Sequence, residues 1–263
     1  MNSGQALYKH EPVFRETVDK CSRLLQDSLG KPLLDVLYPP VEQEMAAAAF
    51  TNRSALAQPA AFVFGYALAQ MWLAWGLEPQ AMAGQGVGEY VAACVAGVYS
   101  LEAALTLVAV RGQLTQNMPK QPHLEVALSE SECRSLLGEA VALTAVISPT
   151  TCILVGAETE IEALATELTA NDIVTRRLPA LDAAYSPFIE PVLPEFSDRL
   201  DLYDRQAPQI LFLSNVTGDW ITDEEARDDK YWLNQLRQPL RLREKSGIPG
   251  PNHRLGGPGN GCR

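Results

Sequence analysis

The chain has 263 residues, of which 47% are hydrophobic and 20% are charged, so it can bury a core and is not a disordered sequence. Its formal net charge of −11 disfavours a nucleic-acid-binding surface, which needs a basic stripe. No signal peptide and no uncharged apolar run of about 18 residues is present, so we predict a cytoplasmic protein without a membrane segment.

The chain has five cysteines and three histidines, and their spacing limits the disulfide and metal chemistry that is possible. No C-x-x-C motif occurs, and the cysteines in apolar runs indicate reduced thiols, which suits the cytoplasm. The histidines have no paired ligand spacing, so we expect no metal site.

The first part of the chain predicts helices. Residues 5–29 have apolar residues at helical spacing and predict one amphipathic helix that closes at Gly30. Residues 51–77 predict a loop and then a buried helix that begins near Ala60 and ends at Gly76.

A sharp turn is predicted at Gly84-Gln85-Gly86-Val87-Gly88, followed by a helix over 88–97. The spacing matches the nucleophile elbow, G-x-S-x-G, in which a strand-to-helix turn exposes a serine hydroxyl above a sheet. Here the middle residue is glycine, so the frame is present without its hydroxyl. Ser100 then has the position of an N-cap for a helix that opens at Leu101.

Residues 123–181 predict the order β-α-β-β-α-β, which is typical of a ferredoxin-like unit. A strand and turn are expected over 208–221 and a helix followed by a Gln-Pro turn over 228–242, before a Gly/Pro-rich tail at 243–263. The resulting plan is α/β. An α/β-hydrolase-like large subdomain (1–122 with the elbow at 84–88, continued at 182–242) carries an inserted ferredoxin-like small subdomain (123–181).

The elbow, the inserted unit and "LSNVTGDWIT", in this order, resemble the acyltransferase domain of modular polyketide synthases, in the malonyl-CoA:acyl carrier protein transacylase family. The similarity covers about residues 5–242. Its most characteristic parts are "YALAQMWLAWGLEPQAMAGQGVGEYVAACVAGVYSLEAALTLVAVRGQLTQ" and "KYWLNQLRQPLR". The resemblance implies transfer of malonyl from CoA to the phosphopantetheine of an acyl carrier protein, with no bound cofactor. It also implies carrier-protein and neighbouring synthase-domain partners, such as a ketosynthase, and neither nucleic acid nor membrane.

The resemblance places the nucleophile at Gly86 and the histidine general base at Tyr185, within Asp182-Ala183-Ala184-Tyr185-Ser186-Pro187, where the family has "HAFHSP". Glycine has no heteroatom for covalent catalysis. A phenol, with a reference pKa of about 10, is a poor base at neutral pH. We therefore predict a degenerate domain that does not catalyse acyl transfer.

The resemblance assigns five further positions. Val87 supplies an oxyanion-hole N–H, Arg111 and Gln85 contact the substrate, and Asn215 and Gln238 support the histidine position. The alternative for Arg111 is an exposed charge at a helix end.

Two other functions stay open. One is an active transferase with a surrogate nucleophile, although Cys94, Ser186 and Ser100 are better explained as a core thiol, a structural hydroxyl and a helix cap. The other is a non-covalent binding module for malonyl-CoA or a carrier protein. The family's N-terminal "GQGSQ" loop and strand have no counterpart, and from about Arg243 the chain departs from the family, so we expect a truncated or frameshifted domain.

Overall fold

The structure is a computed structural model, and it describes residues 4–30, 32–38, 54–138, 140–182 and 184–241. The predicted irregular tail lies outside the described residues.

The helices are α1 (Gln5–His10), α2 (Pro12–Leu29), α3 (Leu33–Leu37), α4 (Ser54–Ala74), α5 (Val87–Val95), α6 (Leu101–Gln116), α7 (Glu130–Leu136), α8 (Glu158–Ala170), α9 (Leu193–Leu200), α10 (Asp223–Arg227) and α11 (Asp229–Arg237). A 3-10 helix at Pro187–Val192 leads into α9. The strands are β1 (Ala81–Met82), β2 (Lys120–Val126), β3 (Val141–Ser148), β4 (Thr151–Gly156), β5 (Thr175–Asp182), β6 (Leu211–Phe212) and β7 (Leu240–Arg241).

Two predicted helix boundaries are wrong. The single helix expected over 5–29 is broken at Glu11, whose backbone is extended (φ −106°, ψ 106°), because the following Pro12 disfavours the helical conformation of the residue before it. The buried helix begins at Ser54 rather than near Ala60, since Pro59 is tolerated inside α4.

The predicted N-cap at Ser100 is confirmed. Its Oγ accepts a hydrogen bond from the Ala103 N–H at 3.1 Å, which satisfies one of the N–H groups left open at the start of α6.

The larger core lies among α2, α4, α5 and α6, with contributions from α9 and α11. Trp232 of α11 is fully buried, with its ring 5.0 Å from that of Tyr90 in α5 and 4.9 Å from that of Tyr99. These aromatic contacts pack α11 against α5, the helix that follows the elbow. Parallel pairing of β1 with β6 adds a second link between the two parts of the chain.

The remaining strands form a five-stranded sheet in the order β5-β2-β4-β3-β7. Its first four strands are antiparallel neighbours and follow the predicted β-α-β-β-α-β chain order. Helices α7 and α8 cover one face, through Cys133, Ile161 and Leu168. The other face contacts Met118 and Phe188 through Ala142 and Val155, which places it against the larger core.

Strand β7 was not predicted. It pairs in parallel with β3 (Leu240 opposite Ala145), so the C-terminal segment adds an edge strand to the small sheet. Arg241 of β7 donates to both carboxylate oxygens of Glu130 at 2.8 Å. The exact limits of the inserted subdomain stay a prediction.

Helix α4 is strongly apolar, and its buried residues are part of the larger core. Within the residues that the structure describes, no helix has the length and hydropathy needed to cross a membrane.

A buried carboxyl joins the two parts of the chain beside the elbow. Glu89 of α5 is fully buried, and its Oε1 accepts hydrogen bonds from the Asn215 N–H at 3.0 Å and from the Tyr231 hydroxyl. Burial raises the pKa of Glu89 to about 7, against the lowering effect of these hydrogen bonds. The folded state therefore prefers this carboxyl in its protonated form.

Two helical glycines give a matched test of this packing. A Cβ at Gly112 of α6 would lie 2.5 Å from the Ser54 carbonyl oxygen and 3.0 Å from the Ala55 Cα, whereas a Cβ at Gly65 of α4 would contact only Val91, at 3.5 Å. We expect Gly112→Ala to lower the free energy of unfolding by about 1–3 kcal/mol. Gly65→Ala should raise it by up to about 1 kcal/mol through helix propensity. Urea unfolding followed by circular dichroism measures both, and equal effects would contradict the close approach of α4 and α6.

The pKa of Glu89 predicts a pH-dependent stability. Below pH 4.5 the carboxyl is protonated in both states. As the pH rises from there to about 7, the unfolded chain loses this proton while the folded chain keeps it, so stability falls by about 1.4 kcal/mol per unit. Above that pH the loss is constant.

Glu89→Gln keeps the acceptor oxygen and removes the titration. The difference in unfolding free energy between parent and variant should therefore shift in favour of the variant between pH 5 and pH 8. Groups common to both proteins cancel in this difference. Parallel stability curves for the two proteins would rule out the raised pKa.

Candidate active site

The elbow is built on glycines that approach other backbone closely. A Cβ at Gly84 would lie under 3.0 Å from the carbonyl of Gly88, because the chain turns back over the start of α5. Gly86 itself has φ +57° and ψ −111°, a backbone conformation that L side chains rarely adopt. The turn of a nucleophile elbow is thus present, with glycine at its most constrained residue.

Side chains from the second part of the chain hold the elbow backbone. The Gly86 N–H donates to Asn215 Oδ1 at 2.7 Å, and the Gly86 carbonyl accepts from Gln235 Nε2 at 3.0 Å. Asn215 Nδ2 also donates to the Gly84 carbonyl at 2.7 Å. Both polar groups of residue 86 are therefore satisfied by amide side chains that lie far away in sequence.

Tyr185 points directly at the elbow. A Cβ on residue 86 would lie under 3.0 Å from the Tyr185 hydroxyl oxygen, a distance that real Cβ atoms essentially never show. Tyr185 also has a positive φ of 63°, and its N–H donates to the Leu236 carbonyl at 2.8 Å. A strained backbone thus directs a phenol into the space that a side chain at residue 86 would occupy.

Arg111 of α6 lies behind this phenol and is only 1% exposed, so the alternative of an exposed charge at a helix end is wrong. One guanidinium nitrogen donates to Gln58 Oε1 at 2.7 Å, and another donates to the Tyr185 hydroxyl. Its Nε is buried without a hydrogen-bond partner. Among the described residues Arg111 forms no ion pair, although it interacts electrostatically with the buried carboxyl of Glu89.

Of the other predicted site residues, Val87 and Gln85 lie at the elbow, whereas Gln238 lies at the end of α11. Val87 begins α5, where the first N–H groups of a helix have no acceptor within the helix and attract negative charge. Gln85 is exposed beside it. Gln238 ends α11 with an exposed side chain, and Gln235, one helical turn earlier, reaches the elbow in its place.

Sequence reasoning missed Gln235, Gln58 and Glu89. Gln235 is four residues after Tyr231 in α11, so both face α5, but this is visible only once the helix is placed against the elbow. Gln58 lies in a stretch that the sequence predicts as a loop.

The described histidines do not provide a base at this site. His123 lies on β2 of the small sheet, with its Nδ1 2.9 Å from the Gln121 carbonyl oxygen, and His10 is in α1. Among the described residues there is also no cluster of three or more side chains that could hold a metal ion.

The surrogate nucleophiles considered from the sequence have structural roles. Cys94 is buried in the core, and burial raises the pKa of its thiol to about 12. Ser186 is fully buried, and its Oγ accepts from the Phe188 N–H at 3.3 Å at the start of the 3-10 helix. Ser100 caps α6.

Comparison with known proteins identifies one domain family and a group of related synthases. The family described as the acyl transferase domain matches residues 2–247. A phenolphthiocerol/phthiocerol polyketide synthase of Mycobacterium tuberculosis is 31% identical over 242 residues, which are 92% of this chain and 16% of that protein. Polyketide synthase GfsB of Streptomyces halstedii is 35% identical over 91% of this chain and 4% of its own length. The chain therefore spans less than a fifth of these synthases.

Solved structures agree with this relationship. The acyl transferase domain of ZmaA superposes with a TM-score of 0.85 at 35% identity, over 92% of this chain and 56% of that one. The SpnD acyl transferase domain, in complex with 2-(pent-4-yn-1-yl)malonyl, has a TM-score of 0.80 at 36% identity, over 91% and 56% of the two chains. FabD of Acinetobacter baumannii shares the fold, with a TM-score of 0.77 at 22% identity, over 92% of this chain and 77% of that one.

The predicted α/β fold and the predicted relationship are thus confirmed by a family match over nearly the whole chain, by synthase relatives and by superposition on solved domains. The chain belongs to the acyl transferase domain family, and its relatives are polyketide synthases.

Proposed function

We propose that this chain is a polyketide synthase acyltransferase domain that has kept the fold and lost the transfer reaction. In the family reaction, a serine oxygen attacks the thioester carbonyl of malonyl-CoA, the CoA thiol leaves with a proton, and a carrier-protein phosphopantetheine thiol then takes the acyl group. The malonyl-type ligand of the SpnD domain supports this substrate class. The domain's role is then that of a spacer or docking surface between synthase domains, with a ketosynthase and an acyl carrier protein as neighbours.

The observation that carries the proposal is the pair formed by Gly86 and Tyr185. Residue 86 has no heteroatom, and the phenol oxygen of Tyr185 fills the space of the missing side chain. The imidazole that would accept the serine proton is also replaced by this phenol. Loss of either member of a serine–histidine pair costs about 10⁴–10⁶ in turnover.

Several groups around the elbow are retained although residue 86 carries no nucleophile. Asn215 and Gln235 still hold the elbow backbone, and the Val87 N–H still opens a helix at the place of an oxyanion donor. An oxyanion hole lowers the barrier only when a nucleophile forms the tetrahedral intermediate. These groups therefore have no reaction to accelerate at residue 86.

Incubation with malonyl-CoA tests the proposal directly. Intact mass measurement of the folded parent chain should show no added malonyl group after hours, because no attacking oxygen lies at the elbow. The matched control is the Gly86→Ser/Tyr185→His variant, which restores both lost groups, and a heat-unfolded sample reports non-enzymatic acylation. A malonyl adduct on the folded parent above that background would overturn the proposal, and peptide mapping would assign it to Tyr185 or another residue.

The same pair predicts a coupled effect on stability. Gly86→Ser alone should lower the free energy of unfolding, since its Cβ displaces the Tyr185 hydroxyl from its hydrogen bond with Arg111. In a Tyr185→His background, which removes the phenol, the same substitution should cost less. We expect a favourable coupling energy of about 0.5–3 kcal/mol between the two sites.

Urea unfolding of the four proteins of this double-mutant cycle measures the coupling. Gly86→Ser in the Tyr185→His background reports the backbone strain without the phenol, because it is placed at the same φ of +57° and ψ of −111° while the Tyr185 hydroxyl is gone. Additive effects of the two substitutions would show that Tyr185 does not occupy the side-chain space of residue 86.

A further inference from the structure

Three unusual features meet at one point of the structure. Gly86 has no Cβ, Tyr185 has a positive φ, and Arg111 is a buried cation. Each is costly or rare by itself, because a non-glycine residue at positive φ is strained and a buried charge is normally paired. Their coincidence indicates that they form one arrangement.

The guanidinium of Arg111 presents more donors than its neighbours accept. Gln58 Oε1 and the Tyr185 hydroxyl take one nitrogen each, and the buried Nε has no partner. A guanidinium is the group that proteins use for two-point recognition of carboxylates. Its two acceptors are an amide and a phenol, and Glu89 interacts with the guanidinium only electrostatically, so no carboxylate is hydrogen-bonded to Arg111 among the described residues.

The Tyr185 hydroxyl therefore makes two contacts that other groups could make in its place. It accepts from Arg111, as an oxygen of a carboxylate would, and it fills the space of the side chain that residue 86 lacks. The guanidinium carbon of Arg111 lies 5.4 Å from the centre of the Tyr185 ring, so the ring also covers the charge.

We propose that Tyr185 is an internal plug, which closes a small-carboxylate subsite formed by Arg111 and Gln58. This inference deepens the proposed function, on which it rests for the identity of the site, and adds that the folded parent excludes the acyl carboxylate even without chemistry. Removal of the phenol ring opens the subsite, and a short dicarboxylate such as malonate then takes the place of the hydroxyl oxygen on Arg111.

Tyr185→Gly is the most suitable variant for this test. Glycine adopts a φ of 63° without strain, so the backbone and its hydrogen bond to Leu236 can persist while the ring is removed. Tyr185→Asn is the second variant, because asparagine also tolerates positive φ and its short side chain leaves most of the ring volume free. Thermal melting followed by circular dichroism establishes that each variant is folded.

Titration calorimetry with sodium malonate, and with sodium acetate at equal ionic strength, measures binding to the parent, to both variants and to Tyr185→Gly/Arg111→Gln. We expect malonate to bind Tyr185→Gly at least about tenfold more tightly than the parent, which corresponds to one charge-assisted hydrogen bond gained. Tyr185→Asn should also bind more tightly than the parent, and the Arg111→Gln change should abolish the gain.

Equal malonate affinity for the parent and for folded Tyr185→Gly would overturn the proposal, as would a gain that survives Arg111→Gln. Failure of both variants to fold would also overturn it, because the ring would then be required by the core rather than seated in a subsite. Intact mass measurement of Tyr185→Gly with malonyl-CoA separates the two proposals. A covalent adduct there contradicts the proposed loss of chemistry, whereas malonate binding without an adduct is the result that both proposals expect.

Discussion

The contact between the Tyr185 hydroxyl and the empty side-chain position of residue 86 determines how the rest of this site is arranged. A Cβ at residue 86 would lie under 3.0 Å from that oxygen, so a side chain there requires the Tyr185 ring to shift. The same oxygen accepts from the buried Arg111, whose charge is otherwise met only by Gln58. The Tyr185 hydroxyl oxygen thus connects the elbow at Gly86 to the buried guanidinium of Arg111.

Buried polar side chains from the second part of the chain hold the backbone of the elbow. Asn215 and Gln235 satisfy the N–H and the carbonyl of Gly86, and Glu89 is buried beside them with its pKa raised to about 7. Buried carboxyl and amide groups destabilise the folded state unless they are hydrogen-bonded. These residues join the two parts of the chain through buried hydrogen bonds, which is a structural role.

Local patterns in the sequence were sufficient to predict most helices and strands and the turn of the elbow, because caps, periodicity and glycine spacing are short-range signals. Ser100, the β-α-β-β-α-β order and the turn at 84–88 are examples. The resemblance also identified Arg111 and Tyr185 as positions of interest. What could not be predicted depends on distant contacts: the arrival of Gln235 rather than Gln238 at the elbow, and the phenol of Tyr185 against Arg111. The break at Pro12 was a local signal that helical periodicity concealed.

The edge strand β7 has a consequence for the order in which the protein acquires its structure. Its pairing with β3 joins segments that are far apart along the chain, after the intervening strands, α9 and α11 have been traversed. Contacts of such long sequence separation carry a large loop-closure cost and form slowly. We therefore expect closure of this edge of the small sheet to follow the placement of α11 by the larger core.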